Sequence, residues 1–460
     1  MTDQRKLFGT DGIRGRANVH PMTPEMALRL GRAVALVARE RGRKSPRILI
    51  GKDTRRSGYM LEPALVAGIT AMGGRALLSG PIPTPAIANL THSMRADAGV
   101  VISASHNPFG DNGIKLFGPD GFKLPDEEEL ELERLMESDA PSHGPTGAAI
   151  GSAYRMEDAG GRYIVHTKGT FPADLRLDGL RVVVDAAHGA AYKVAPAVFA
   201  ELGADVIALG VHPNGQNINR DCGALHPQHV QKEVIRRKAQ LGIALDGDAD
   251  RVILVDETGA IVDGDAVMAL CATRMLKEKR LKKNTLVATV MSNIGLERAV
   301  EAAGGKLLRT AVGDRYVVEA MRKHKLTLGG EQSGHLIFLD HATTGDGCVA
   351  ALQILAIMAR EGRHMSELSR VMERSPQVLE SILLPKRMPL AAMDLLNAGI
   401  ARAEKRLSKH GRILVRWSGT EPKLRIMAEG PDEKVLRQMV AELSALARKD
   451  AARKDPTRPA

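Results

Sequence analysis

The chain has 460 residues, room for about two to four domains at roughly 100–200 residues each, and its 44% hydrophobic and 26% charged residues exclude a mainly disordered, collagen-like or low-complexity protein. No run of about 18 uncharged apolar residues occurs, Met1–Arg5 opens no apolar signal segment, and Cys222, Cys271 and Cys348 are too widely spaced for a disulfide framework or a CxxC metal site, so a cytosolic protein with no membrane partner is expected. Sixty-five Lys and Arg against 54 Asp and Glu leave a charge of +11, which suits anionic partners, but aromatics are only 3% and none interleaves with the basic runs Lys277–Lys283 and Arg448–Ala460; these read as helix ends or tails, and nucleic acid is discounted.

In chain order, Arg47–Gly51 reads as a buried strand, followed by a polar loop and an apolar-periodic helix over Met60–Met72. Gly73 and Gly74 stop that helix, and Arg75–Leu78 starts a new strand. The same order returns as strand Arg181–Asp185, helix Lys193–Leu202, stop Gly203 and strand Val206–Leu209. It returns again as strand Thr285–Val290, helix Leu296–Ala303, stop Gly304-Gly305 and strand Lys306–Leu308. Strand, helix, glycine C-cap and strand mark a βαβ crossover. Three such units predict an α/β protein with three similar domains on mixed or parallel sheets. Beyond Pro376 the pattern changes to strand Val378–Leu384, helix Ala391–Arg406, strands Arg412–Trp417 and Leu424–Ala428, and helix Glu433–Arg448, a C-terminal α+β domain. The expected domains are 1–170, 171–262, 263–377 and 378–460.

Four loops carry chemistry. After the strand-like Val101-Ile102 comes Ser103-Ala104-Ser105-His106-Asn107-Pro108, a hydroxyl-rich turn that Pro108 keeps from becoming helix at once. It can present a serine to a site, although Ser105 or Asn107 could equally cap the turn. A Ser-His-Asp hydrolase is disfavoured, because a histidine adjacent in sequence rarely reaches its serine and no GxSxG elbow exists. Next, Asp246, Asp248 and Asp250 follow the strand Gly242–Leu245 at alternate positions, which on extended backbone would point them one way. Three carboxylates together repel unless a cation lies among them, and hard oxygen donors in a small set favour Mg²⁺. An EF-hand fails by counting, since its glycine position falls on Arg251. Gly329–His335 is a glycine-rich polar loop in which Glu331 and Ser333 could meet sugar hydroxyls. Arg416–Arg425 sets two arginines about a Ser-Gly-Thr loop, the makings of a phosphate cradle. No GxxxxGK[ST] occurs. Gly345–Ala350 fits G-x-G-x-x-A without a leading strand and reads as a closely packed helix start.

Together with Phe8-Gly9-Thr10-Asp11-Gly12-Ile13-Arg14-Gly15, these loops resemble the α-D-phosphohexomutase superfamily over nearly the whole chain. Within it, the FGTDGIRG opening, the alanine of DGDADR, the glutamine of GEQSGH and the run Val312–Val317 are similar to the bacterial phosphoglucosamine mutase family. The resemblance implies four domains around a cleft and a phosphosugar substrate, interconverted between glucosamine 6-phosphate and glucosamine 1-phosphate. A bound glucosamine 1,6-bisphosphate or glucose 1,6-bisphosphate would be intermediate or activator, and the product would feed UDP-N-acetylglucosamine and cell-wall synthesis. It implies that Ser105 is a phosphoserine and that Asp246, Asp248 and Asp250, with Ser105, hold Mg²⁺. Arg14, His106 and Lys115 would line the cleft, Lys115 and Arg14 stabilising charge or moving the proton of the attacking hydroxyl. Arg251 would sit by the transferring phosphate. Glu331, Ser333 and His335 would hold sugar hydroxyls, and Arg416, Ser418, Gly419, Thr420 and Arg425 the phosphate that is not reacting. Ser103 is expected to tolerate substitution far better than Ser105. A homodimer and a kinase that first loads Ser105 remain open as partners. The alternatives are a phosphoglucomutase/phosphomannomutase or a metal-dependent phosphatase using Ser105.

Overall fold

The computed structural model describes residues 5–138, 143–418 and 422–453. Four sheets follow one another along the chain. The first has seven strands in the order Phe8–Gly9, Gly12–Arg16, Asp111–Phe117, Ala98–Ile102, Arg47–Lys52, Arg75–Pro81 and Ser152–Arg155. Its centre is parallel, Arg47–Lys52 pairing with both Arg75–Pro81 and Ala98–Ile102, while Asp111–Phe117 runs antiparallel beside Ala98–Ile102. Ala98–Ile102 is buried at every position, as a strand covered on both faces must be. The second sheet orders Ile261–Val262, Val252–Asp256, Leu241–Leu245, Arg181–Asp185 and Asp205–Leu209. The third orders Lys306–Thr310, Thr285–Thr289, Leu328–Gly330 and Leu336–Phe338. The fourth is an antiparallel trio, Gln377–Leu383, Lys423–Glu429 and Arg412–Trp417. Three mixed α/β sheets and a smaller C-terminal α+β sheet are thus the architecture expected from the repeated strand–helix–glycine order.

Helix boundaries differ from those expected by a few residues. The second helix of the first unit covers Gly58–Ala71, and the helix expected over 391–406 covers Asp394–Leu407. The last helix runs to Arg453 rather than 448. The helices Pro24–Glu40 and Gly58–Ala71 cross with their backbones almost touching. A Cβ on Gly31 would lie 2.4 Å from the Leu65 carbonyl oxygen, and one on Gly68 would lie 2.2 Å from that of Leu28. Gly347 opens the helix Gly347–Glu361 behind the N-cap Asp346, and a Cβ there would meet Leu245 at 2.6 Å. The G-x-G-x-x-A run is therefore the close-packed helix start it was read as.

One apolar cluster runs continuously through the three α/β units, from Leu49 and Ile87 through Val182 and Phe199 to Leu286 and Leu355. The C-terminal unit has its own cluster, around Leu396, Ile426, Leu436 and Leu443. It meets the third unit across polar contacts instead. Asn293 Nδ2 donates to Glu429 Oε1 at 3.2 Å, and Arg412 Nη2 donates to the Ser292 carbonyl at 2.6 Å. No helix among the described residues is long and apolar enough to cross a membrane.

Candidate active site

The loops that follow the parallel strands meet at their carboxyl ends, where open α/β sheets place their ligands. Ser105 follows strand Ala98–Ile102, Asp53 follows Arg47–Lys52, Thr84 follows Arg75–Pro81, and the Asp loop follows Leu241–Leu245. The Asp loop is not extended, as its alternation had suggested. It is the tight turn of an antiparallel hairpin in which Leu245 pairs with Val252, and Ala249 takes a left-handed φ of 58°. The turn still converges the three carboxylates, with one oxygen from each of Asp246, Asp248 and Asp250 within 4.8 Å of the others, all buried.

Ser105 is 1% exposed, at φ 49°, and its Oγ donates to Asp246 Oδ2 at 2.6 Å. Gly247 lets the serine loop come this near, because a Cβ there would lie 2.6 Å from the Ser105 carbonyl oxygen. His106 Nδ1 lies 3.2 Å from Ser105 Oγ, so the adjacent histidine does reach its serine, contrary to the expectation from sequence adjacency. Burial, with Arg251 and Arg14 nearby, pushes His106 down to about 4, so its ring is uncharged at neutral pH.

Lys115 Nζ lies 3.0 Å from Asp248 Oδ2, 3.3 Å from Asp250 Oδ2 and 3.2 Å from Asp11 Oδ2. Burial would lower Lys115, but these three carboxylates hold it well above the usual lysine range. The three carboxylates thus favour its charged form. Burial and then the neighbouring Asp250 and Asp248 push Asp246 well above the usual carboxylate range. Asp250 would rise by burial too, but Lys115 and His335 hold it well below that range. Asp248 Oδ1 and Asp250 Oδ1 are buried without a hydrogen-bond partner. Two orphaned hard anionic oxygens beside a third carboxylate and a serine oxygen fit a small divalent cation. Arg251 Nε is 3.9 Å from Asp250 Oδ1 and has no hydrogen-bond partner, and Arg14 is paired with Asp11.

In the glycine-rich loop, Glu331 Oε1 accepts the Gly313 amide at 3.0 Å, and Ser333 Oγ is 3.5 Å from Glu331 Oε2. His335 faces inward rather than toward open space. It is 2% exposed, with Nδ1 3.7 Å from Asp250 Oδ1, and Nε2 accepts the Gly345 amide at 3.1 Å. In this orientation the ring meets Asp250 and the Gly345 amide. Burial would lower His335 and Asp250 raises it, the net shift being upward. The Gly345 amide nevertheless requires a lone pair on Nε2, which places the ring proton on Nδ1, toward Asp250.

On the fourth unit, Arg416 and Arg425 stand directly opposite in neighbouring strands, and both Nε atoms are buried without a hydrogen-bond partner. Burial and then Arg425 lower Arg416. Like charges opposed across strands are destabilising, and an anion between them would relieve that repulsion. Ser418 is 6% exposed and its amide donates to the Lys423 carbonyl at 2.8 Å. Gly419 and Thr420 lie outside the described residues.

Several residues were not read from the sequence. Arg55 is 1% exposed and donates to the carbonyls of Ser105 at 3.0 Å, Asn107 at 2.8 Å and Asp111 at 3.1 Å, and to that of Pro108. Its Nε donates to Asp53 Oδ2 at 2.8 Å, and Ser103 Oγ donates to the same oxygen at 2.6 Å. Ser103, fully buried, also accepts the Ser105 amide at 3.0 Å, so it is a support of the loop rather than a tolerant neighbour. Asn219 Nδ2 donates to the Ser105 carbonyl at 2.8 Å, and Thr84 Oγ1 donates to Asp248 Oδ2 at 2.6 Å. The polar run Asp53-Thr54-Arg55 directly after a buried strand was the available signal. Asn219 and Thr84 had none, because their partners lie in other units.

Buried carboxylates of the second unit facing a serine of the first, with a guanidinium pair on the fourth, suit an enzyme that handles phosphorylated substrates. Domain I of phosphoglucomutase/phosphomannomutase matches residues 5–142, domain II 162–259, domain III 263–375 and the C-terminal domain 379–446, and the chain belongs to this family. Within it, the chain is 65% identical over 450 residues to the phosphoglucosamine mutase of Sorangium cellulosum, covering 97% of this chain and 94% of that one. A phosphoglucomutase/phosphomannomutase family protein of Burkholderia thailandensis shares the fold at TM-score 0.80 and 24% identity, over 96% of this chain and 97% of that one. So does the N-acetylphosphoglucosamine mutase of Aspergillus fumigatus, solved with GlcNAc-6P and magnesium, at TM-score 0.68 and 17% identity over 97% and 96% of the two chains.

Proposed function

We propose that the protein interconverts glucosamine 6-phosphate and glucosamine 1-phosphate, with Ser105 as the phosphoryl carrier and a bound 1,6-bisphosphate as intermediate. The observation that carries the reading is the Ser105 hydroxyl donating to Asp246 inside a buried, partly unsatisfied carboxylate cluster. Asp246, Asp248 and Asp250, with an oxygen of phosphorylated Ser105, would hold Mg²⁺. When bound, that ion supplies neutralisation of the charge on the transferring group. Phosphoryl transfer needs positioning and charge neutralisation more than covalent assistance, and the chain provides both. Lys115, Arg14 and Arg251 are fixed cations around the serine. In one direction the Ser105 Oγ–P bond breaks as the sugar O–P bond forms, and the sugar hydroxyl proton ends on Ser105 Oγ. His106, uncharged and 3.2 Å away, is the group placed to relay it. Glu331 and Ser333 orient the sugar, and Arg416, Ser418 and Arg425 hold the remote phosphate. Burial of Ser105 excludes water, which would otherwise turn the phosphoenzyme into a phosphatase. The amino-sugar product suits activation to a nucleotide sugar for cell-wall precursors.

The test compares turnover of glucosamine 6-phosphate with glucose and mannose phosphates, while phosphate release is followed. Preferential isomerisation of the amino sugar is expected. Equal or better turnover of the neutral sugars would move the assignment within the family, and net phosphate release would replace it with a phosphatase.

A further inference from the structure

The Val312–Val317 run sits far from Ser105 in sequence, yet the structure brings Asp314 of that run to the catalytic centre through Lys123 and beside His335. Lys123 Nζ is ion-paired with both Asp11 and Asp314. Asp11 also pairs with Arg14 and with Lys115, and Lys115 pairs with Asp250. Asp250 meets His335, whose other ring nitrogen lies 3.5 Å from Asp314 Oδ2. Asp11, Lys123, Asp314, His335, Asp250 and Lys115 thus close a circuit through all three α/β units. One arc of it is the serine–carboxylate centre. The other is the sugar loop, since His335 ends that loop and Gly313, next to Asp314, holds Glu331 by its amide.

Lys123 is the cation that joins these arcs. Its side chain and that of Asp314 are each 13% exposed, so the pair acts in a low-dielectric setting. With the His335 proton on Nδ1, Lys123 is the cation that Asp314 faces. Around it, Thr343 Oγ1 donates to the Gly121 carbonyl at 2.6 Å, Arg315 Nη2 to the Leu124 carbonyl at 2.8 Å, and Arg322 lies over the Phe122 ring at 4.0 Å. These peripheral contacts tie the two units together beside Lys123. What they do not do is link Asp11 to Asp314. Without Lys123, those two carboxylates would face each other across a buried gap, and the loop bearing Glu331 would shift away from the serine.

We propose that Lys123 is a positioning residue for sugar recognition, setting the register of the Glu331–Ser333 loop against the Ser105–Asp246 centre by bridging Asp11 and Asp314. This rests on the mutase reading given above. The test is Lys123→Met, assayed with glucosamine 6-phosphate and with its 3-deoxy and 4-deoxy analogues. A residue that only stabilises the fold lowers all three rates by one factor. A residue that aims Glu331 and Ser333 penalises the full sugar more, because only the full sugar has the hydroxyls to lose. The expected result is a ten- to hundredfold lower kcat/KM for the parent substrate, as for a charge-assisted contact of about 1.5–3 kcal/mol. Discrimination against at least one deoxy analogue should shrink at least fivefold relative to wild type. Parent turnover within twofold of wild type, or equal losses on all three substrates, would overturn the proposal. If Lys123→Met does not fold, Lys123→Ser, which leaves room for water to solvate the two carboxylates but is too short to bridge them, is read by the same criterion. Wild-type protein that fails to isomerise the parent sugar overturns the mutase reading and this inference together, whereas active wild type with equal losses removes Lys123 alone.

Discussion

Two serines lie two residues apart in one turn, and the structure assigns them different work. Ser105→Ala removes the hydroxyl that would carry the phosphoryl group, so mutase turnover should fall to background while the fold persists. Ser103→Ala removes a fully buried oxygen that accepts the Ser105 amide at 3.0 Å and donates to Asp53 Oδ2 at 2.6 Å. Asp53 keeps Arg55, through Nε at 2.8 Å and the backbone amide at 2.8 Å, so the loss falls chiefly on the Ser105 amide. A buried amide left unsatisfied costs about 1–3 kcal/mol. If that cost is felt in the placement of Ser105, about 1.4 kcal/mol per decade gives roughly a ten- to hundredfold loss in kcat. Ser103→Ala should still carry phosphate on Ser105 and should melt earlier than wild type. The assay is steady-state turnover on glucosamine 6-phosphate together with intact mass, phosphosite mapping and a thermal melt on each variant. Near wild-type turnover in Ser105→Ala, or an inactive, unphosphorylated Ser103→Ala with an unchanged melt, would refute the assignment of the two hydroxyls.

Three further outcomes follow from the same geometry. Asparagine at any one of Asp246, Asp248 or Asp250 should cost roughly a hundredfold or more in turnover, since even outer partners of metal sites are worth about 10–100-fold, and should raise the Mg²⁺ needed for half-maximal rate; a triple-Asn variant active in chelator would sink the site. Arg416→Ala or Arg425→Ala should lower kcat/KM roughly ten- to hundredfold and release more bisphosphate per turnover. Relief of the like-charge pair should leave the melting temperature unchanged or higher, and wild-type turnover and leakage in both variants would reduce the loop to a surface hairpin. Asp265, pushed up to about 7 chiefly by burial, keeps a proton in the folded state that the unfolded chain loses above about pH 4. Its contribution to stability therefore falls as pH rises from about 4 through 7, so Asp265→Asn should gain melting temperature over wild type at pH 8 relative to pH 5; a difference independent of pH would contradict the burial argument.

Local pattern was enough for the elements and for the loops between them. The buried runs of Arg47–Gly51, Arg181–Asp185 and Thr285–Thr289, each followed by a helix and a glycine stop, dictated the βαβ units, because hydrophobic period and glycine's freedom at a C-cap act within a dozen residues. The same locality exposed Ser105, the Asp246–Asp250 set, Glu331, Ser333, Arg416 and Arg425, whose chemistry is written in adjacent positions. Tertiary structure decided what those groups touch. It folded the Asp loop as a hairpin turn rather than an extended row, and brought His106 onto Ser105. It turned His335 inward to Asp250 and made Ser103 a buried support. It also supplied Arg55, Asn219, Thr84, Asp11 and Lys123, whose partners lie up to about 200 positions away in the chain. A charge becomes decisive when burial lowers the dielectric around it and a partner is held a few ångströms off, and both conditions arise only once separate units share one core.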